Sequence, residues 1–153
     1  MSQRSPIIGV IGSGQCENNI YQLAEEVGQE IAGKGAVLVC GGLGGVMEAA
    51  AKGASSAGGL TVGVLPGPST NSANSFIKIP IATDMGQARN VIIAHTADAL
   101  VAVAGGAGTL SEIGHALKIG KPVVGLQTIP DISGVQYADN AEEAIARLFD
   151  LIH

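Results

Sequence analysis

The 153 residues carry a formal net charge of −5, with 8 Lys and Arg against 13 Asp and Glu. No Lys/Arg cluster stands ready to neutralise a phosphate backbone, which argues against nucleic acid as a partner. Hydrophobic residues make up 46% of the chain and aromatics 3%, so a core must come from Val, Ile, Leu and Ala; the length suits one domain, 1–153, burying about 70% of its unfolded surface.

The first apolar run, Ile7 to Ile11, reads as a strand that ends in Gly12-Ser13-Gly14. Asn18 or Asn19 then suits the cap of a helix in which Ile20, Leu23, Ala24, Val27 and Ile31 recur at helical spacing, and Gly33-Lys34-Gly35 stops it. A second strand, Ala36 to Cys40, runs into Gly41-Gly42-Leu43-Gly44-Gly45 and an alanine-rich helix from Val46 to Ala57. Leu60 to Leu65 is a third strand, which Pro66-Gly67-Pro68 breaks. An extended stretch from Phe76 to Ile81 follows, with Pro80 weakening its centre. Thr83 to Gly86 turns into a helix carrying Gln87, Arg89, Val91, Ile92 and His95.

Leu100 to Val103 is a continuous apolar run feeding Ala104-Gly105-Gly106-Ala107-Gly108, with a helix from Thr109 to Ile119 behind it. Val123 to Leu126 is a further buried strand and Val135 to Tyr137 an edge strand; Asp139 or Asn140 caps a last amphipathic helix through Ile152. Strands alternate with helices and are apolar throughout, which signals a doubly wound α/β domain. Its parallel sheet should have six or seven strands with helices on both faces. Such sheets bind ligands beyond the carboxyl ends of their strands, where the strand order reverses.

The loops at that edge carry the candidate chemistry. Gly12-Ser13-Gly14 starts a dinucleotide fingerprint, but Glu17 stands at its third glycine, and no phosphate-loop lysine motif occurs. Instead, Gly41 to Glu48 and Gly105 to Glu112 echo each other: Gly-Gly-x-Gly, an apolar residue, then Glu. Glycine loops opening helices expose backbone N–H groups to an anion, with the helix dipole assisting. The expected ligand- and phosphate-contacting positions are therefore Gly12, Ser13, Gly14, Gly41, Gly42, Gly44, Gly45, Glu48, Gly105, Gly106, Ala107, Gly108 and Thr109.

Glu112 admits two readings. Three residues after Thr109, its carboxylate completes a capping box; beside an anion cradle it can equally act on the part of the ligand next to the phosphate. Arg89 sits where a helix dipole disfavours a cation, which suggests a partner such as Glu112 or a ligand phosphate, against the alternative of a solvated surface arginine. Cys16 and Cys40 read as small buried residues near strand ends, and no metal site is expected. No apolar run approaches a membrane span or a signal segment, so the expected location is cytoplasmic with no membrane partner.

At Gly105-Gly106-Ala107-Gly108-Thr109-Leu110-Ser111-Glu112 the sequence resembles the Lonely Guy family, whose mark is Pro-Gly-Gly-x-Gly-Thr-x-x-Glu; Arg89 after Asp84-Met85 and the loop Gly41 to Gly45 extend the likeness over nearly the whole chain. The resemblance implies a Rossmann-like fold, a homodimer or homotetramer, and cleavage of the N-glycosidic bond of a nucleoside 5′-monophosphate with Arg89 and Glu112 as the catalytic pair. By the same likeness the Gly105–Thr109 loop would hold the phosphate. Relatives are often labelled lysine decarboxylases; with no Schiff-base lysine and cofactor pocket in evidence, that activity is not expected. The chain departs from the pattern at Ala104 for proline, Asn90 for lysine, Ser111 for glutamate and Glu48 for glycine. These departures resemble the branch near the molybdenum cofactor carrier proteins, which bind a phosphate-bearing pterin without transforming it. The alternative expectation is thus a carrier of the molybdenum cofactor, and in both cases the partner is a phosphorylated small molecule.

Overall fold

A computed structural model of the chain describes residues 4–152. Its elements follow in the order β1 (Ile7–Gly12), α1 (Asn18–Gly33), β2 (Val37–Cys40), α2 (Val46–Ser56), β3 (Thr61–Leu65), β4 (Ile79–Ala82), α3 (Arg89–Thr96), β5 (Ala99–Val103), α4 (Ala107–Lys118), β6 (Val123–Leu126), β7 (Val135–Tyr137) and α5 (Ala141–Ile152). The strands form one sheet in the order β4-β3-β2-β1-β5-β6-β7, and every pairing in it is parallel. From β1 the chain winds outward to β4, then returns to lay β5 on the other side of β1. The reversal between β1 and β5 is where a doubly wound sheet opens a crevice at its carboxyl edge.

Period-two alternation divides the apolar strands between two cores. Ile8, Val10, Leu38, Cys40, Val101, Val103, Val124 and Leu126 pack with α1, α2 and α5; Ile11, Val39, Val64, Leu100, Ala102 and Val123 pack with α3 and α4. Every residue of β5 is buried, as expected of a central strand covered on both faces. The α1–α2 contact is close because it is made by glycines. A Cβ on Gly28 would lie 1.9 Å from the Ala50 carbonyl oxygen, and one on Gly53 would lie 1.9 Å from that of Glu25. Among the described residues no helix is long and apolar enough to cross a membrane.

Several local expectations shift for identifiable reasons. The last helix is capped by Asn140, whose Oδ1 accepts from the Glu143 N–H at 2.8 Å. α1 has no side-chain cap, and Glu17 rather than an asparagine holds the cap position. The extended stretch expected over residues 76–81 is β4, Ile79–Ala82, with Pro80 inside it. Proline is tolerated there because β4 is the outermost strand, with β3 its only neighbour in the sheet. The irregular segment before β4 is tied to the second glycine loop, since Asn74 Nδ2 donates to the Leu43 carbonyl at 2.8 Å.

The start of α4 matters most for the site. It begins at Ala107, two residues earlier than the Thr-x-x-Glu pattern suggests, with Gly106 at the cap position and no side-chain cap. The turn is tight because Ala104 (φ 49°) and Gly105 (φ 96°) are both left-handed, and it closes with Leu110 N–H donating to the Gly106 carbonyl at 3.0 Å. Thr109 is consequently inside the helix and 3% exposed, and the Thr109–Glu112 capping box does not form.

Candidate functional site

At the β1/β5 reversal the carboxyl ends of the strands and the helices behind them enclose a crevice of about 380 Å³. It is lined by Gly12, Ser13 and Gly14 after β1, Gly41 after β2, Gln87, Arg89 and Asn90 at the start of α3, and Gly106, Ala107, Gly108, Thr109 and Glu112 from the turn into α4. Leu43 and Met47 close one side, with Val10 and Ile11 of β1. Residues far apart in sequence are thus collected on one edge by a parallel sheet whose strands all end there.

Arg89 is 5% exposed, which overturns the solvated-surface alternative. The guanidinium is held by its Nε–H, donated to the Val64 carbonyl at 2.8 Å, and by Nη1–H, donated to Asn90 Oδ1. The end of β3 thereby offsets the unfavourable placement of a cation at a helix start. Nη2 lies 2.7 Å from where a Gly41 Cβ would sit, and Met47 Sδ 2.6 Å from it; glycine at 41 is what lets both side chains reach the crevice. Burial pulls the Arg89 pKa down, and Glu112 and then Cys40 act against that pull.

Glu112, freed from the capping role, is half-buried on the crevice wall. Burial raises its pKa to about 7, with the charge of Arg89 lowering it in part. The two side chains feel each other's field without an ion-pair contact. A carboxyl poised near neutrality beside a fixed cation can exchange a proton at ordinary pH.

The two echoing loops are not equivalent in space. After β2, Gly45 (φ 60°, ψ −127°) breaks any earlier helix, so α2 starts at Val46, whereas the corresponding stretch after β5 is already helical. The Val46 N–H at the start of α2 donates to the Ser13 carbonyl at 3.0 Å and so faces protein. Glu48 accepts from the Tyr21 hydroxyl at 2.9 Å and does not line the crevice. Gly42, Gly44, Gly45 and Gly105 also lie outside the lining, where close packing accounts for them: Cβ atoms on Gly45 and Gly105 would fall 2.4 Å from the Ser13 carbonyl oxygen and 2.1 Å from Thr109 Oγ1. Gly106 and Gly108 are different, since a Cβ on either would meet open space.

Sequence reasoning missed Leu43, Met47, Gln87 and Asn90 as lining residues. Gln87 and Asn90 stand at i and i+3, a spacing that puts them on one face of the helix start, and Asn90 Nδ2 donates to Gln87 Oε1 at 3.2 Å. Leu43 and Met47 gave no comparable signal, being apolar residues of a glycine loop and its helix. Cys40 is fully buried with its pKa pushed up to about 11 by burial, the state of a packed thiol rather than a reactive one. Among the described residues no group of three His, Cys, Asp or Glu side chains is placed to hold a metal ion.

Residues 5–149 match the SLOG cluster4 family. The structure is similar to that of the molybdenum cofactor binding protein from the phototrophic bacterium Rippkaea orientalis, with a TM-score of 0.93 and 38% identity over 99% of this chain and 100% of that one. It is also similar to the molybdenum cofactor carrier protein of Chlamydomonas reinhardtii, with a TM-score of 0.90 and 43% identity over 97% of this chain and 99% of the other. The cytokinin riboside 5′-monophosphate phosphoribohydrolase of Mycobacterium tuberculosis is 41% identical over 98 residues, which are 61% of this chain and 52% of that enzyme.

Proposed function

The chain belongs to the SLOG cluster4 family, in a Lonely Guy-like Rossmann branch near the molybdenum cofactor carriers, and we propose that it binds a phosphorylated small molecule of the molybdenum cofactor type as cargo. One observation carries the reading: a buried guanidinium, held in place by the Val64 carbonyl and Asn90, faces a crevice lined by backbone at Gly12, Gly41, Gly106 and Gly108. A fixed cation beside glycine backbone suits a phosphate, which takes hydrogen bonds from N–H groups while the guanidinium supplies charge. The open space at Gly106 and Gly108 lets such a ligand approach the start of α4. The carrier and binding proteins from C. reinhardtii and R. orientalis, which align over almost their full lengths, support this cargo.

A second reading is favoured by Glu112. Its pKa of about 7 and its place on the crevice wall suit a carboxylate that stabilises positive charge developing on a sugar as an N-glycosidic bond breaks. In that reaction the bond between the sugar's anomeric carbon and the base nitrogen is cleaved, water adds to the anomeric carbon, and ribose 5-phosphate and the free base leave. The M. tuberculosis phosphoribohydrolase supports it, and Ala104 counts against it. Proline fixes φ near −65°, while Ala104 stands at +49°, so the turn here has a shape that the family's proline could not adopt.

Both readings are tested together. Purified protein is incubated with molybdenum cofactor, or with a cytokinin riboside 5′-monophosphate, and followed for bound ligand and for ribose 5-phosphate. Retained cofactor without sugar phosphate release, lost in Arg89→Gln, is the expected result for a carrier. Release of ribose 5-phosphate that disappears in Glu112→Gln establishes the hydrolase instead, and no binding or turnover of either compound refutes both.

A further inference from the structure

Beside the crevice lies a second chamber of about 380 Å³ between α3 and α4. Ile11, Val91, Ala94 and Leu100 give it aliphatic walls, and Ser111 and His115 supply polar atoms of its own beside those of Gln87, Asn90 and Glu112. Ile11, Gln87, Asn90, Gly108 and Glu112 line both spaces, so one ligand can occupy the two at once with Glu112 at the junction. The chambers differ in character: the first contains the buried cation and the backbone of Gly12, Gly14, Gly41 and Gly106, and the second is a more apolar slot.

His115 is the unusual member of that slot. Its Nε2 is buried and, among the described residues, is the one such side-chain polar atom with no hydrogen-bond partner. The ring meets His95 edge-on, at a centroid distance of 5.8 Å, which supplies an apolar contact but no hydrogen bond. An unpaired buried donor or acceptor is costly, and native structures keep few of them.

Resting on the phosphate reading above, we propose that the α3–α4 chamber holds the fused, planar nitrogen heterocycle of the ligand, with His115 contacting a ring-edge nitrogen or oxygen. The slot suits that chemistry: aliphatic side chains accept the ring faces, and the unpartnered His115 Nε2, with Ser111 also in the lining, offers a polar edge. The volume lies within the range of ordinary small-molecule sites. A phosphate in the crevice and a ring in the slot would place the atoms that join them beside Glu112.

The test uses substitutions outside the phosphate crevice. Val91 is 41% exposed at the chamber wall, so Val91→Trp fills the slot without disturbing the packed core, and His115→Phe keeps ring shape while removing the polar edge. Affinities of ribose 5-phosphate, adenosine 5′-monophosphate and 6-hydroxymethylpterin phosphate are measured by calorimetry for the full chain and both variants. Val91→Trp should weaken whichever ring-bearing phosphate binds by tenfold or more and leave ribose 5-phosphate within twofold; His115→Phe should do the same to a smaller degree. Comparing the purine with the pterin tells which ring the slot prefers. Equal loss for ringed and ringless phosphates, or no loss for any, overturns the proposal. If no phosphate binds the wild type, the phosphate reading has failed on its own, and the unphosphorylated probes adenine and 6-hydroxymethylpterin decide the chamber: binding abolished by Val91→Trp supports it, and no binding overturns it.

Discussion

Replacing Glu112 with glutamine should stabilise the protein above pH 7 and leave its stability nearly unchanged below pH 4.5. The Glu112 carboxyl, ordinarily near 4.5, is raised to about 7 by burial in the crevice wall. The folded state therefore holds a proton that the unfolded chain has given up between these values. Glu112 contributes stability that is fully present below pH 4.5 and is lost as pH rises to about 7. The attraction to Arg89 does not reverse this, because it is already included in the raised value as the smaller, opposing influence. Full linkage would make the ionised carboxylate cost about 3 kcal/mol. Glu112 borders an open crevice, and solvent screening reduces that to about 1–2 kcal/mol. Glutamine avoids the cost, so at pH 8.5 the variant should unfold about 3–6 °C higher than wild type. Thermal or urea unfolding of both proteins from pH 4.5 to 8.5 reads the effect as a gap that opens from pH 4.5 to about 7 and holds above it. A gap independent of pH, or a variant less stable at pH 8.5, would show that Glu112 does not keep its proton up to about pH 7 in the folded protein.

Arg89→Lys keeps a charge but loses the Nε donation to the Val64 carbonyl and the planar grip, so phosphate affinity measured by calorimetry should fall at least tenfold, with stability lower by about 1 kcal/mol. Ala104→Gly should stabilise the fold by about 1 kcal/mol in urea unfolding by relieving a left-handed alanine, whereas Ala104→Pro should disrupt the turn and weaken ligand binding together with stability. Gly28→Ala places a methyl group 1.9 Å from the Ala50 carbonyl oxygen, forcing α1 and α2 apart; a loss of about 2–3 kcal/mol is expected, and an unchanged unfolding midpoint would contradict the close helix contact.

The fold was legible because its signals are local and repeated. Uniformly apolar runs of four to six residues separated by helical periodicity specify buried parallel strands whatever their order, and the helix stops at Gly33-Lys34-Gly35 and Gly120-Lys121-Pro122 are punctuated by residues that end helices. Of the site, Arg89 stood out because its placement opposes the helix dipole. Glu112 stood out only ambiguously, because Thr-x-x-Glu reads the same whether the helix starts at 107 or at 109. The sequence echo between Gly41–Glu48 and Gly105–Glu112 was the least reliable signal. Glycine marks a backbone requirement without saying whether a ligand, a neighbouring helix or a positive φ imposes it, and here Gly45 packs on Ser13 while Gly108 opens to the crevice.

The sequence by itself determined the alternation of strands and helices, the apolar character of the sheet and the types of residue gathered at its edge, because each of these depends on composition and spacing along a few turns of chain. Tertiary structure alone decided that β5 lies beside β1, that Arg89 is held by the end of β3, and that Glu48 faces Tyr21 while Glu112 faces the crevice. Those are long-range pairings, set by which surfaces the folded sheet brings together. A buried charge acquires its pKa and its use only there, from neighbours that lie tens of residues away in sequence.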